Sequence, residues 1–297
     1  MTRSLPPQVR ERTLAKARTL IEALPFMQDH RGKIIVIKVG GAVMSSADLS
    51  RSFAGDISLL QHAGINPVVV HGGGPQMTEL SARLGLASEF VDGVRVTDRE
   101  TLDVATMVLA GKVNTELVAS LVAGDVPAVG LSGVDGGLAI ARKQAEPDLG
   151  YVGEVVRVNT QVLRTLMGNG FVPVVASIAA DDGGHPFNVN ADFMAAELAV
   201  GLEAQKLVYL NDVPGVIGPG GDLLSELGVE ETLDLLAQAD VVDGGMIPKL
   251  ESAVRALKAG VPRVHLLDGR VEHALVLELF TPEGIGTMIT ATPEDAP

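Results

Sequence analysis

Lys38 stands near the end of an apolar run, KIIVIKV (33–39), just ahead of Gly40-Gly41. A buried ammonium is costly unless an anion meets it, and glycines beside it let the backbone approach that anion closely. A second glycine cluster, HGGGP (71–75), follows the run PVVV (67–70) and precedes a helical pattern, so its consecutive amides form a nest for an anion. Lys249, in DGGMIPKLESAVRAL, also stands near a helix start, where its charge opposes the local dipole unless a bound phosphate offsets it. In NVNAD (188–192), Asn188 and Asn190 alternate to one side, and Asp192 falls in the first turn of the helix MAAELAVGL. An acid there ordinarily serves only the helix dipole, and it rises above that role when lysines converge on it. Arg95, in DGVRVTD (92–98), offers a planar fork to a carboxylate, although alone it reads as a surface arginine. The set suits anion chemistry.

Several other chemistries are excluded. There is no GxxxxGKS or GxxxxGKT loop, and HGGGPQM lacks the third glycine of the dinucleotide fingerprint. GLSGV (130–134) puts Val134 where a nucleophile elbow needs glycine. The chain has no Cys, which removes disulfides, thiolate catalysis, iron–sulfur clusters and Cys-based zinc sites. Its six histidines make no HExxH, and His62, His185 and His273 read as surface residues, so no metal held by side chains alone is expected.

The elements that must position these residues alternate along the chain. Besides the two runs above, AVGL (128–131), VPVVASI (172–178), KLVYL (206–210) and RVHLL (263–267) read as buried strands. Helical patterns lie between them, for example at 101–123, 191–202 and 246–259. This alternation predicts an α/β fold with a mainly parallel central sheet, and glycines at strand ends mark the ligand edge. PDLGYVGEVVRV (147–158) suggests an inserted antiparallel hairpin. Ahead of the first strand, Leu14, Ala17, Leu20, Ile21 and Leu24 make an amphipathic helix over 8–24. It either packs on its own domain or projects to pair with another subunit.

With 37 acidic and 23 basic residues among 297, the net charge of −14 argues against a nucleic-acid partner, and 3% aromatics leave few stacking platforms. Hydrophobic residues reach 46%, yet no stretch approaches the roughly 18 uncharged apolar residues that spanning a membrane needs. The start, MTRSLPPQVRERTLAKAR, scatters charges where a signal peptide has its apolar core, so a cytoplasmic globular protein is expected.

KVGG, VVVHGGGP, GVRVTD, FNVNAD, YLNDVPGV and DGGMIPK, in this order, resemble the amino acid kinase family, and within it the acetylglutamate kinases. The resemblance covers about residues 33–290. It implies a three-layer αβα sandwich, with an acetylglutamate-binding lobe over about 28–200 and a nucleotide-binding lobe over about 201–297. The implied reaction moves the γ-phosphoryl of ATP, with magnesium carried by the nucleotide, to the side-chain carboxylate of N-acetyl-L-glutamate. That is the second step of arginine biosynthesis. Such a carboxylate is already ionised at pH 7, so catalysis reduces to in-line positioning and cationic stabilisation. By the resemblance, Lys38 and Lys249 stabilise the transferring group and Asp192 orients them. Gly73, Gly74, Arg95 and Asn188 bind the substrate, with Arg95 on its α-carboxylate. Gly40, Gly41, Asn211, Asp212, Gly215, Val216, Gly245 and Met246 serve the nucleotide; Asn211 stands where the family usually has Thr.

HLLDGR (265–270), ELFT (278–281) and GIGT (284–287) are similar to the arginine-sensitive branch, which also carries an extra N-terminal helix. This implies L-arginine bound by His265, Glu278 and Gly284, and residues 1–27 interlacing dimers into a hexamer, a trimer of dimers. Phe26 stands where that branch usually has Tyr. Two alternatives remain: an acetyl-aminoadipate kinase of lysine synthesis, whose substrate is one methylene longer, and a non-catalytic amino-acid sensor.

Overall fold

The computed structural model describes residues 7–91, 93–238 and 245–291. Eight strands form the central sheet, in the spatial order Glu226–Gly228, Thr287–Thr290, Arg263–Asp268, Lys206–Asn211, Ile34–Val39, Asn66–His71, Val172–Ala176 and Ala128–Ser132. Neighbouring strands run parallel except Arg263–Asp268 with Thr287–Thr290. In the strand Ile34–Val39, Ile35, Ile37 and Val39 face one helix layer, which includes Ala47–His62, Asn114–Ala123 and Ala274–Phe280. Val36 faces the other, built on Ala191–Leu202 and Ile247–Lys258. Each Val, Leu or Ile fully buried there contributes about 1.5–3 kcal/mol. The result is the expected three-layer sandwich.

Local departures have physical reasons. VPVVASI breaks at Ser177: Val172–Ala176 stays in the sheet, while Ile178–Ala180 joins a four-stranded barrel with Ala139–Lys143, Val152–Val158 and Pro186–Val189. The expected hairpin exists, but its first arm is Ala139–Lys143, upstream of the segment singled out. The helical run Arg99–Ala123 is long and apolar enough to cross a membrane by composition. Here it is a core helix, with Leu102, Leu109, Leu117 and Leu121 buried and an exposed Lys112–Glu116 ion pair on its outer side. Its middle, Thr106–Val113, is a π-helix.

The N-terminal helix runs Pro7–His30, longer than its apolar pattern. Leu14, Leu20, Ile21 and Leu24 stay 47–68% exposed, so the stripe stands clear of its own domain. Only the last third docks, through Ala23, Phe26 and Met27 against the sandwich and a hydrogen bond between His30 Nδ1 and Gln205 Oε1 at 3.1 Å.

Candidate active site

Alternation along the central strand puts Lys38 on the Val36 face, in register with Tyr209 on one side and Val70 on the other. That face carries the helices bearing Asp192 and Lys249. Asn190 caps the helix Ala191–Leu202 by accepting from the amides of Asp192 at 2.8 Å and Phe193 at 3.4 Å, which fixes Asp192 in the first turn. Lys38 Nζ then lies 2.8 Å from Asp192 Oδ1, and Lys249 Nζ 3.6 Å from Oδ2. Lys249 also donates to the Gly245 carbonyl at 2.8 Å. Burial pushes the Asp192 carboxyl up, but the two ammonium groups outweigh it and hold it below the usual range. The lysines do converge. Two positive charges on one carboxylate leave a net positive charge beside open space.

That space is a cavity of about 330 Å³, whose walls include Lys38, Gly41, Gly73, Arg95, Asn188 and Lys249. Gly40 donates to the Leu210 carbonyl at 3.0 Å, and a Cβ there would sit 2.9 Å from that oxygen, so this approach requires glycine. Gly74 begins the helix Gly74–Arg83. Arg95 is no surface arginine, being 7% exposed with its guanidinium over the Phe90 ring. It donates to Ser88 Oγ and Thr78 Oγ1, both at 2.7 Å, and to the Gly74 carbonyl at 3.1 Å. Asn188 Nδ2 donates to Thr97 Oγ1 at 3.2 Å.

The expected nucleotide residues divide. Asn211 is buried at the end of its strand with neither amide atom hydrogen-bonded, an arrangement that is costly unless a ligand meets it. Asp212 follows it, exposed. Gly215 is buried, and Val216 spends its amide on Thr287 Oγ1 while its carbonyl accepts from the Leu224 amide. Gly245 and Met246 lie beside Lys249. Of the loop 241–249, residues 241–244 lie outside the described residues.

His265, Glu278 and Gly284 also come together, on the other face of the sheet. His265 Nδ1 donates to Glu278 Oε1 at 2.6 Å, and a Cβ on Gly284 would lie 3.2 Å from Glu278 Oε2. Two contributors had no local sequence signal. Lys206 Nζ donates to His265 Nε2 at 3.2 Å. Tyr209, fully buried, hydrogen-bonds Ser252 Oγ at 2.8 Å, and Ser252 donates to the Lys249 carbonyl at 2.9 Å, which ties the strand to the lysine's helix. His62, His185 and His273 are exposed as expected, although His273 closes on buried Asp56 at 2.7 Å.

Comparison with known proteins agrees with this architecture. The amino acid kinase family model matches residues 33–268. The acetylglutamate kinase of Symbiobacterium thermophilum is 48% identical over 290 residues, covering 94% of this chain and 99% of that protein. That of Syntrophobacter fumaroxidans is 48% identical, covering 93% and 96%. Among solved structures, N-acetylglutamate synthase from Neisseria gonorrhoeae, complexed with coenzyme A and N-acetyl-glutamate, superposes with a TM-score of 0.83 at 31% identity. The match covers 92% of this chain, which spans only 63% of the synthase. By the extent of the family match and of these identities, the chain belongs to the amino acid kinase family.

Proposed function

We propose that this chain transfers the γ-phosphoryl of ATP to the side-chain carboxylate of N-acetyl-L-glutamate, yielding N-acetyl-L-glutamyl 5-phosphate and ADP, in the cytoplasm as the second step of arginine synthesis. The observation that carries this reading is Asp192 held between Lys38 and Lys249 beside a cavity that Arg95 also lines. An anion must attack a polyanion, and a fixed net positive charge in a partly dry site lowers that barrier most. Lys38 and Lys249 supply the charge, and Asp192 holds both ammonium groups in position. The amides of Gly41, Gly72 and Gly73 meet phosphoryl oxygens. Arg95 holds the remote α-carboxylate, with Asn188, Gly73 and Gly74 around the acetamido end. The relatives named acetylglutamate kinase support this activity.

ATP fits the second half of the sequence, where Asn211 has an unpartnered amide and the helix Ile247–Lys258 carries Lys249 in its first turn, with Gly40 of the first half close to the Asn211 backbone. Magnesium fits as an ion carried by the nucleotide, because Asp192 is already held by two lysines; when bound it neutralises phosphate charge. We assign about 28–200 to acetylglutamate and about 201–297 to ATP. Regulation by L-arginine at His265, Glu278 and Gly284 is supported by their juxtaposition, and a hexamer built through residues 1–27 by the exposed stripe of the N-terminal helix.

Coupled ADP release tests the reading. ADP should appear with ATP plus acetylglutamate and not with ATP alone. Faster turnover of acetyl-aminoadipate would favour the lysine-pathway kinase, and no dependence on either would leave a sensor.

A further inference from the structure

His71, the histidine of HGGGP, is fully buried directly behind the glycine loop. Its Nε2 lies 3.0 Å from Asn114 Nδ2 and its Nδ1 2.9 Å from the Gly72 carbonyl. The same Asn114 nitrogen lies 3.0 Å from the Val174 carbonyl and 3.4 Å from that of Leu131. Backbone carbonyls only accept, so the amide must turn its NH₂ toward them and toward His71. Nε2 is therefore an acceptor, and the ring's single proton sits on Nδ1, where it donates to Gly72. Burial pulls the imidazole down to about 4, so it stays neutral near pH 7.

A trans peptide points its carbonyl and the following N–H in opposite directions. Fastening the Gly72 carbonyl to His71 therefore turns the Gly73 N–H away from His71. Gly73 lines the cavity beside Lys38, and a Cβ on it would lie 2.7 Å from Leu109 Cδ2, so the π-helix blocks the loop from the other side. We infer that His71 is a positioning residue for phosphoryl transfer: in the tautomer that Asn114 imposes, it fixes the Gly72–Gly73 peptide so that the Gly73 amide meets the transferring group. The inference rests on the function proposed above. A donor aimed where charge develops acts on the transition state more than on bound substrates, so its loss falls on kcat.

Two substitutions and one spectrum test it. His71→Leu removes the donor, whereas the amide of His71→Asn can reach Gly72 from about the position of Nδ1. The expected result is an approximately 10²-fold fall in kcat for His71→Leu, with the KM values for ATP and acetylglutamate little changed, and recovery of most of that loss in His71→Asn. In ¹⁵N-histidine-labelled wild-type protein at pH 7, the His71 signals should show a protonated Nδ1 and a bare Nε2. A proton on Nε2, unchanged kcat in His71→Leu, or equal kcat losses in the two variants would overturn the inference; the spectrum decides even where His71→Leu fails to fold. Wild-type protein that releases no ADP with acetylglutamate sinks the functional reading instead, and leaves the tautomer result standing.

Discussion

The strand Lys206–Asn211 serves two buried charge clusters, and strand alternation sends them to opposite faces of the sheet. Tyr209 faces the helices that bring Lys38, Asp192 and Lys249 together. Lys206 points with Val208 and Leu210 to the opposite face, where it meets His265 and Glu278. Burial does not distinguish them: side-chain exposure is 10% and 8% for Lys38 and Asp192, and 3% and 6% for His265 and Glu278. Charge and space do. The first cluster has a positive surplus and a cavity. In the second, burial pulls His265 down despite its bond to Glu278, so the imidazole is neutral and Lys206 balances Glu278. Both Glu278 oxygens are engaged, by His265 and by the Ile285 amide at 2.7 Å. On the function proposed above, the first cluster receives an anion. The second is closed, and for the arginine regulation proposed above a guanidinium would have to replace existing donors on Glu278.

The most direct way to break the comparison is to remove the surplus charge. Lys38→Ala should cost about 10²–10³ in turnover, read as ADP release with acetylglutamate. Asp182→Ala, which removes only the exposed partner of Arg157, serves as the control and should leave turnover intact. Retention of more than about a tenth of the activity in Lys38→Ala would remove the electrostatic role from that cluster.

A smaller effect is expected at the cavity's other pole. In the function proposed above, Arg95 holds a carboxylate that does not react, so its contribution would be uniform between ground and transition states. Arg95→Ala should raise the KM for acetylglutamate about 10–100-fold, the worth of a charge-assisted hydrogen bond, with the KM for ATP nearly unchanged. A large shift in ATP affinity would place Arg95 in the wrong half of the site.

What the sequence makes legible here is whatever repeats or clusters locally. Six apolar runs mark strands, and the helix of Asp192 reads at its observed bounds because NVNAD supplies a cap before an apolar stretch. Glu226–Gly228 and Thr287–Thr290 escape notice because three or four residues carry too little periodicity. The π-helix has no compositional sign. Arg95 reads as a surface residue because its partners, Thr78 and Ser88, mark nothing in sequence. The pairs Tyr209–Ser252 and His71–Asn114 are 43 residues apart, and no local pattern announces a hydrogen bond across such a span.

The second cluster has its own test, through the helix that docks over it. Full-length protein and a chain beginning at Gln28 should differ in light scattering as hexamer and dimer, with the shorter form active and less inhibited by arginine. Coupling between arginine and acetylglutamate should be reciprocal and fall in the range of about 5–150-fold. Two dimers with identical arginine curves would deny the helix any part in it.

The smallest effect sharpens the contrast between surplus and balance. Burial, reinforced by Arg263, pulls the Lys206 ammonium down to about 8 against the opposing pull of Glu278 and Asp29. An unfolded lysine titrates near 10.4, so between about pH 8 and 10.4 the unfolded chain binds more protons, and stability rises with pH in that window. Below pH 8 the burden of the buried charge is fully present. Denaturant titration of the wild type should therefore show about 1 kcal/mol more stability from this group at pH 9 than at pH 7. Lys206→Met should lose that increment, because an apolar side chain of similar length carries no proton to release. At Asp192 a shift of the same direction favours the charged form instead: a carboxyl held below its usual range gives stability that rises with pH only in acid and is fully present at pH 7. Parallel stability curves for wild type and Lys206→Met from pH 7 to 9 would mean that Lys206 keeps its proton as a full partner of Glu278. The second cluster would then be an ordinary buried ion pair, and arginine would have to displace a charge held as firmly as the one beside Asp192.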